Sequence, residues 1–429
     1  MKKEDGFKWL FLDLNSYFAS VEQQENPALR NKPVIVVPTD TDYTCAIAAS
    51  YEAKAYGVKT GTMVKEAKKM CPNLRIVVAR HHAYVEYHNR IIEEVVKHTP
   101  IRKIWSIDEL SSILPPNKRN KNSAQKLSEN IKEGIRTNIG EHIKCSIGFA
   151  PNSLLAKIAC DIKKPDGLTI ISQEDLPEAL YDLDLIDLPG IGYNMNKRLR
   201  AANINSVQDF CSISPKHARK IWRNVEGERF LYLLHGYDIE KKATNTSVIG
   251  HSRVIPPEAR DHKKSRDIAK KLLSKAATRL RDKSLFAQKI NLSIRSRSGL
   301  RCGREKKIPA TQNTLIFQRH MLDMWNEIIN EIVFTEGCST DFICIKKISV
   351  TLYDLTTEAL ITNDLFDENI SQKKIIRKRN DALITAIDSL RNKYKKDMVS
   401  IGPTPQTKTD YLGTKIAFSR IPDQKEFWS

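Results

Sequence analysis

At 429 residues and 41% hydrophobic content, the chain is long enough for two to four domains with packed cores. No window approaches eighteen uninterrupted apolar residues, which argues against a membrane-spanning helix, and 70 Lys and Arg against 51 Asp and Glu leave a net charge of +19 that points to nucleic acid as partner. The eight cysteines lack CxxC spacing and the first residues carry acids without an apolar signal core, so reduced thiols in a cytoplasmic protein are expected.

In chain order, residues 9–14 read as a buried strand that brings Asp13 to its end. A helix follows, capped by Asn15 or Ser16, and its free N–H groups suit an anionic phosphate. Tyr17 and Phe18 stand in its first turn, placed for core packing or for a ligand. Residues 32–37 form a strand, and residues 44–51 are a run of small side chains that admits something flat, a packed helix or a base pair. Tyr51 and Lys54 share a helix face and offer a hydroxyl and a cation. Gly57 and Gly61 bracket a turn before a helix over Val64–Met70, which completes a small α/β insertion.

A strand at 74–78, a helix over His81–His98 and a strand at 101–107 lead to Asp108 and Glu109, set between two apolar runs that both read as buried strands. Buried carboxylates need a partner, and neighbouring ones raise each other's pKa. A divalent cation fits that need, and with Asp13 the three acids suggest a two-metal phosphoryl-transfer site. A hairpin turn with solvated acids is the competing reading of Asp-Glu alone.

A polar turn at 117–123 precedes a helix at 124–138, a strand at 143–149 and a helix at 152–163 capped by Asn152 or Ser153 and stopped before Pro165. Lys157 and Lys164 fall near one face, either reaching a polyphosphate or lying in solvent. Residues 187–192, Asp-Leu-Pro-Gly-Ile-Gly, form a hairpin whose Gly190 and Gly192 turn backbone N–H groups outward for a sequence-independent grip on DNA phosphates, with a plain helix–turn–helix as the alternative.

Residues 235–247 read as a polar linker. Beyond it, residues 261–310 hold sixteen Lys and Arg against four Asp and Glu. The order there is strand Val248–Val254, helix 265–283, strand 288–296, strand near 306–309, helix 312–333 and strand 345–353. Ile290, Leu292 and Ile294 alternate with Lys289, Asn291, Ser293 and Arg295, so one sheet face is covered by two helices. The other, with Lys289, Arg295 and Arg297, is a cationic surface for a phosphate backbone. After Thr356, Leu365 and Phe366 form an apolar pair among acids, suited to a partner's groove or to the protein body, followed by a basic helix and a tail rich in Pro and Thr.

Five motifs in unbroken order over about residues 8–355 resemble the Y-family translesion DNA polymerases, of the bacterial DNA polymerase IV and UmuC kind. They are Phe11-Leu-Asp-Leu-Asn-Ser-Tyr-Phe-Ala-Ser-Val-Glu22, Tyr51-Glu-Ala-Lys-Ala-Tyr-Gly57, Ser106-Ile-Asp-Glu109, Ser146-Ile-Gly-Phe-Ala-Pro-Asn-Ser-Leu-Leu-Ala-Lys-Ile-Ala159 with Lys164-Pro-Asp-Gly167, and Leu188-Pro-Gly-Ile-Gly192. The resemblance implies a multidomain α/β (α+β) right-hand polymerase. Its palm would be residues 1–24 and 80–172, its fingers 25–79, its helical thumb with a helix-hairpin-helix 173–243, and its βαββαβ little finger 244–355, before a C-terminal tail at 356–429.

By the same resemblance, Asp13, Asp108, Glu109 and the Leu14 carbonyl would hold two Mg²⁺ ions. Tyr51, Lys54 and Lys164 would contact the incoming dNTP, Phe18 would be the steric gate against a 2′-hydroxyl, and Cys45 and Ile47 would roof the nascent base pair. The implied partners are primer-template DNA, dNTPs and the β sliding clamp, the last through Leu365 and Phe366, with the enzyme a monomer. No 3′–5′ exonuclease segment is evident, and the small surface at 45–50 implies low fidelity.

The chain departs from the family where Lys54 stands for the usual Arg, a point charge in place of a bidentate fork. It departs again after Glu109, where Leu-Ser-Ser-Ile replaces Ala-Tyr-Leu-Asp. Residues 418–422, Phe-Ser-Arg-Ile-Pro, resemble the tail of UmuC-type proteins. A catalytically dead adaptor would lack the metal carboxylates, and a nucleotidyl cyclase with a similar palm would not need the hairpin or the cationic sheet.

Overall fold

The structure, a computed structural model, describes residues 6–239, 246–360 and 370–394 together with residues 399, 416, 421, 422 and 427, the side chains of residues 360 and 370–381 excepted. The chain forms two compact units, Met1–Lys241 with Thr414–Phe427 and Lys242–Gly413 with Trp428–Ser429.

The first unit opens with β1 (Trp9–Leu14) and α1 (Tyr17–Glu25), then a small lobe of β2 (Val34–Val37), β3 (Ala48–Ala49), α2 (Tyr51–Ala55), α3 (Val64–Met70) and β4 (Arg75–Val78). Next come α4 (His81–His98), β5 (Ile101–Ile104), β6 (Glu109–Ile113), α5 (Lys121–Asn138), β7 (Cys145–Ala150), α6 (Ser153–Ile162) and β8 (Leu168–Ile170). Four short helices follow: α7 (Tyr193–Arg200), α8 (Val207–Ser212), α9 (Pro215–Trp222) and α10 (Val225–Leu234).

The main sheet runs β5-β6-β1-β7-β8, so β1 is central and covered on both faces. Leu10, Leu12 and Leu14 enter a core with Tyr84, Ile91, Ile131 and Ile135 of α4 and α5. Phe11 enters a second core with Ala156, Leu188 and Phe210. A strand buried on both faces reads as a continuous apolar run, and the strand period of two puts Asp13 on the Phe11 side, facing α6. Helix α6 lies directly on β7 at Gly148, where a Cβ would run into the Ala156 carbonyl and the Cys160 amide. The small lobe has its own sheet, β3-β2-β4, closed by Ile35, Val37, Ala53, Val64 and Ala67.

The second unit is β9 (Val248–Val254), α11 (His262–Asp282), β10 (Leu285–Ser296), β11 (Arg301–Thr311), α12 (Thr314–Glu336), β12 (Ile345–Thr357) and α13 (Ile370–Tyr394). Its antiparallel sheet runs β11-β10-β12-β9. As the alternation predicts, Ile290, Leu292, Ile294, Ile348, Val350 and Leu352 are buried with α11 and α12, and Lys289 and Arg295 point the other way.

Three expectations need correction. Residues 101–107 are not one buried strand: β5 stops at Ile104, its face is largely exposed, and a turn separates it from β6. The linker does not begin at residue 235, because Asn152 Nδ2 donates to the Tyr237 carbonyl (3.1 Å) and Lys8 pairs with Asp238 (2.8 Å); residues 240–245 lie outside the described residues. The glycine hairpin at 187–192 is preceded by a single 3₁₀ turn, Leu185–Asp187, and not by a full helix.

The basic helix expected after Phe366 is present as α13. Arg281 pairs with Asp388 (2.5 Å) and Arg391 with Asp282 (2.8 Å), docking α13 on the end of α11. Ile416, Ile421 and Phe427 pack on the first unit's α4–α5 core. Leu365 and Phe366 lie outside the described residues.

Candidate active site

Asp13 stands one residue from the end of β1, in register with Glu109 on β6 and Ser146 on β7. The turn before β6 is closed by the Trp105 N–H donating to the Glu109 carbonyl (2.9 Å), and it is fastened to β1 by the Leu14 N–H donating to the Asp108 carbonyl (2.9 Å). Asp108 therefore sits in the turn, free of the alternation that would send neighbouring strand residues to opposite faces. Buried His88 of α4 holds the turn through Nδ1, which donates to the Ile107 carbonyl at 2.7 Å. The site is a hairpin turn, as the competing reading had it, but its acids are drawn in from solvent: Asp13 is 7% exposed, and Asp108 and Glu109 are half-buried.

Two lysines meet these carboxylates. Lys157 Nζ of α6 lies 2.5 Å from Asp13, 2.7 Å from Glu109 and 3.3 Å from Asp161. Lys164 Nζ lies 2.8 Å from Asp13 and 2.7 Å from Asp161. Burial by itself raises the Asp13 carboxyl, but the two ammonium groups outweigh it and hold Asp13 below the usual carboxylate range. Burial raises Asp108, offset in part by the Ser106 hydroxyl that donates to it at 2.5 Å. Burial likewise raises Glu109, against the pull of Lys157. For Lys157 and Lys164 burial opposes the charge, and the carboxylates overcome it, so both stay protonated.

The loop carrying Lys164 is pinned to β1. Asn15 Oδ1 accepts from the Asp166 N–H (2.8 Å), Asn15 Nδ2 donates to Ser146 Oγ (3.1 Å), and Ser146 Oγ accepts from the Gly167 N–H (3.2 Å). Neither expected cap acts on α1: Asn15 is spent on this loop, and Ser16, left-handed at φ 48°, makes no side-chain cap. The Ser16 hydroxyl instead accepts from Lys54 Nζ (2.8 Å), which lies 4.1 Å from the Tyr51 ring centre. Burial and the nearby charge of Lys164 lower the Lys54 ammonium, and burial raises the Tyr51 hydroxyl.

Phe18 and Ile47 are both half-buried against the α4–α5 core, whereas Cys45 is exposed with its backbone bridged to Met63. Gly190 (φ +106°) and Gly192 lie exposed in the turn before α7, and a Cβ on Gly192 would meet nothing. In the second unit, Lys289 stands 3.9 Å from Glu305 and from Asp354, Arg295 is in register with Arg301 and Lys347, and Arg297 is exposed.

As arranged, no three His, Cys, Asp or Glu side chains among the described residues converge closely enough to hold a metal ion. Asp13 and Glu109 close on Lys157, and Asp108 turns to Ser106. Carboxylate oxygens are nonetheless the donors a hard divalent cation takes, and the ammonium of Lys157 stands in for a cation between Asp13 and Glu109. The sequence reading missed Asp161, His88, the bond from Ser106 to Asp108 and the tie from Asn15 to Ser146. Asp161, four residues after Lys157 and three before Lys164, was detectable from helix spacing; the others carry no local signal.

A family model described as the impB/mucB/samB family matches residues 12–161, and one described as that family's C-terminal domain matches residues 247–365, so together they span more than half the chain. DNA polymerase IV of Moorella thermoacetica is 28% identical over 401 residues, 91% of this chain and 94% of that protein. DNA polymerase IV 1 of Bacillus subtilis is 26% identical over 427 residues, 97% of each chain. Among solved structures, a chimera of the Y-family DNA polymerases Dbh and Dpo4 has a TM-score of 0.68 at 25% identity, covering 82% of this chain and 99% of that one. An insertion ternary complex of Dbh DNA polymerase has a TM-score of 0.53 at the same identity and coverage. The chain belongs to the impB/mucB/samB family, the Y-family, DNA-directed DNA polymerases.

Proposed function

We propose that the protein is a low-fidelity translesion polymerase that transfers a deoxynucleoside monophosphate from a dNTP to the 3′-hydroxyl of a primer paired to template DNA. The observation that carries this is the cross-strand pairing of Asp13 with Glu109, with Asp108 delivered beside them by the turn. Asp13, Asp108, Glu109 and the Leu14 carbonyl would hold two Mg²⁺ ions, which when bound supply positive charge to the primer hydroxyl and the phosphates.

This chain's own residues do the remaining work. Lys54 and Lys164 bring point charges and Tyr51 a hydroxyl to the triphosphate. Phe18 lies under the sugar and excludes a 2′-hydroxyl. Cys45 and Ile47 roof the new base pair, and the small side chains after Cys45 check its shape weakly. Gly190, Gly192 and the cationic face of Lys289, Arg295 and Arg297 hold DNA through phosphates, which carry no sequence information.

In this reading the palm is residues 1–24 and 80–172, the fingers 25–79, the thumb 173–243 and the little finger 244–355. The enzyme works as a cytoplasmic monomer that reaches the β sliding clamp through Leu365 and Phe366. Support comes from relatives named DNA polymerase IV and from a similar structure titled an insertion ternary complex. No helix among the described residues is long and apolar enough to cross a membrane. Primer extension with four dNTPs and Mg²⁺ on intact and damaged templates should give synthesis across the damaged base with frequent misinsertion; a chain that extends neither template overturns the reading.

A further inference from the structure

We infer that Lys157 is an internal counter-cation that competes with divalent metal for Asp13 and Glu109, with Asp161 as its alternative partner. The inference rests on the metal-site reading above. The Lys157 ammonium contacts carboxylates from two different strands, at 2.5 and 2.7 Å, and keeps a third within 3.3 Å one turn along its own helix. Its side chain is 17% exposed, and its Nζ lies 5.3 Å from the centre of the Phe11 ring. Helix α6 cannot withdraw it, since Gly148 brings that helix into backbone contact with β7.

An Mg²⁺ ion binds oxygen at about 2.0–2.1 Å, so an ion on these same carboxylates would meet the ammonium as a like charge at short range. Metal binding therefore requires the Lys157 head group to give up Asp13 and Glu109. Asp161 is the residue placed to receive it, four positions on along the same helix face. The metal affinity of the cluster is then set by this exchange as well as by the three ligands.

The direct test is Mn²⁺ binding to the full-length protein without DNA or nucleotide, read from the electron paramagnetic resonance of free Mn²⁺ at fixed ionic strength. Lys157→Met should bind Mn²⁺ about tenfold or more tightly, the scale on which a fixed charge at contact distance shifts a partly buried group. Lys157→Arg, which keeps the cation, should stay near wild type. Asp161→Asn should bind several-fold more weakly, because Lys157 loses its other partner.

Equal or weaker binding by folded Lys157→Met overturns the inference. Should that variant fail to fold, Asp161→Asn decides, and unchanged or tighter binding there overturns it. Asp13→Asn separates the two levels. If it abolishes Mn²⁺ binding while Lys157→Met changes nothing, only the counter-cation fails. If it leaves Mn²⁺ binding intact, the metal-site reading fails too.

Discussion

The Phe18 ring lies on the Tyr84 ring with centroids 4.3 Å apart and planes 15° from parallel. Tyr84 is itself fixed, because its hydroxyl donates to buried Glu22 (2.7 Å) and Arg80 closes over the same carboxylate (2.8 Å). Burial and the Glu22 charge hold the Tyr84 hydroxyl far above its ordinary pKa, so it remains a donor at working pH. A ring backed in this way makes a rigid wall. Phe18→Ala should lower the preference for dNTP over rNTP by about a hundredfold, ~2.7 kcal/mol of discrimination. Paired single-nucleotide insertion rates measure it, and unchanged discrimination would show that Phe18 only packs the core.

Acid should weaken the turn that carries Asp108. His88 is buried with Nδ1 on the Ile107 carbonyl, and burial lowers its pKa. The unfolded chain takes up this proton near pH 6.5 and the folded chain resists it, so the unfolded state binds more protons below that pH. Stability is therefore full above about pH 6.5 and falls below it, by up to about 1.4 kcal/mol per pH unit. His320 in the second unit is lowered by burial in the same direction. Urea unfolding at several pH values should show a smaller acid loss in His88→Gln than in wild type, and an identical loss would contradict the assignment.

The cationic sheet predicts a salt signature. Each phosphate neutralised by the protein contributes about −0.9 to the slope of log K against log salt on duplex DNA. Replacing Lys289, Arg295 and Arg297 by Gln should flatten the slope by about that amount for each phosphate that the variant leaves unneutralised. These point changes are preferable to deleting residues 247–429, which would also strip Ile416, Ile421 and Phe427 from the first unit's core. A slope that does not move places the DNA-binding surface elsewhere.

Clamp dependence rests on sequence alone. Leu365→Ala with Phe366→Ala should abolish clamp-stimulated synthesis and spare clamp-independent insertion. A double variant that still captures the β clamp at wild-type strength would remove this partner site.

Local pattern carries the fold far. The bounds of Trp9–Leu14, Val64–Met70, His81–His98 and Val248–Val254 follow from period and punctuation, and the structure reproduces them. The stretch 101–107 reads as a single strand because Ile101, Ile104, Trp105 and Ile107 recur along it with no Gly or Pro to mark the turn. The acids themselves are legible, since Asp and Glu inside apolar runs demand a partner. Their partner is not. Helical spacing puts Lys157 on a face of α6 and Lys164 falls in the loop beyond it, but what both meet is Asp13, 144 residues away from Lys157 in the chain, and no local periodicity encodes such a contact. The same holds for Asn15, which has the sequence position of a helix cap and is instead the anchor of the Lys164 loop.

In the proposed reaction Asp13, Asp108 and Glu109 form the catalytic metal site. Asp108→Ala removes a carboxylate held in a turn that is fastened through backbone groups, so the hairpin and the DNA-binding surfaces should persist. Primer extension by this variant, with DNA affinity measured alongside, should fall by about a thousandfold or more, ~4 kcal/mol in the barrier, at unchanged affinity. Extension near the wild-type rate at unchanged affinity would show that Asp108 is no part of the catalytic site.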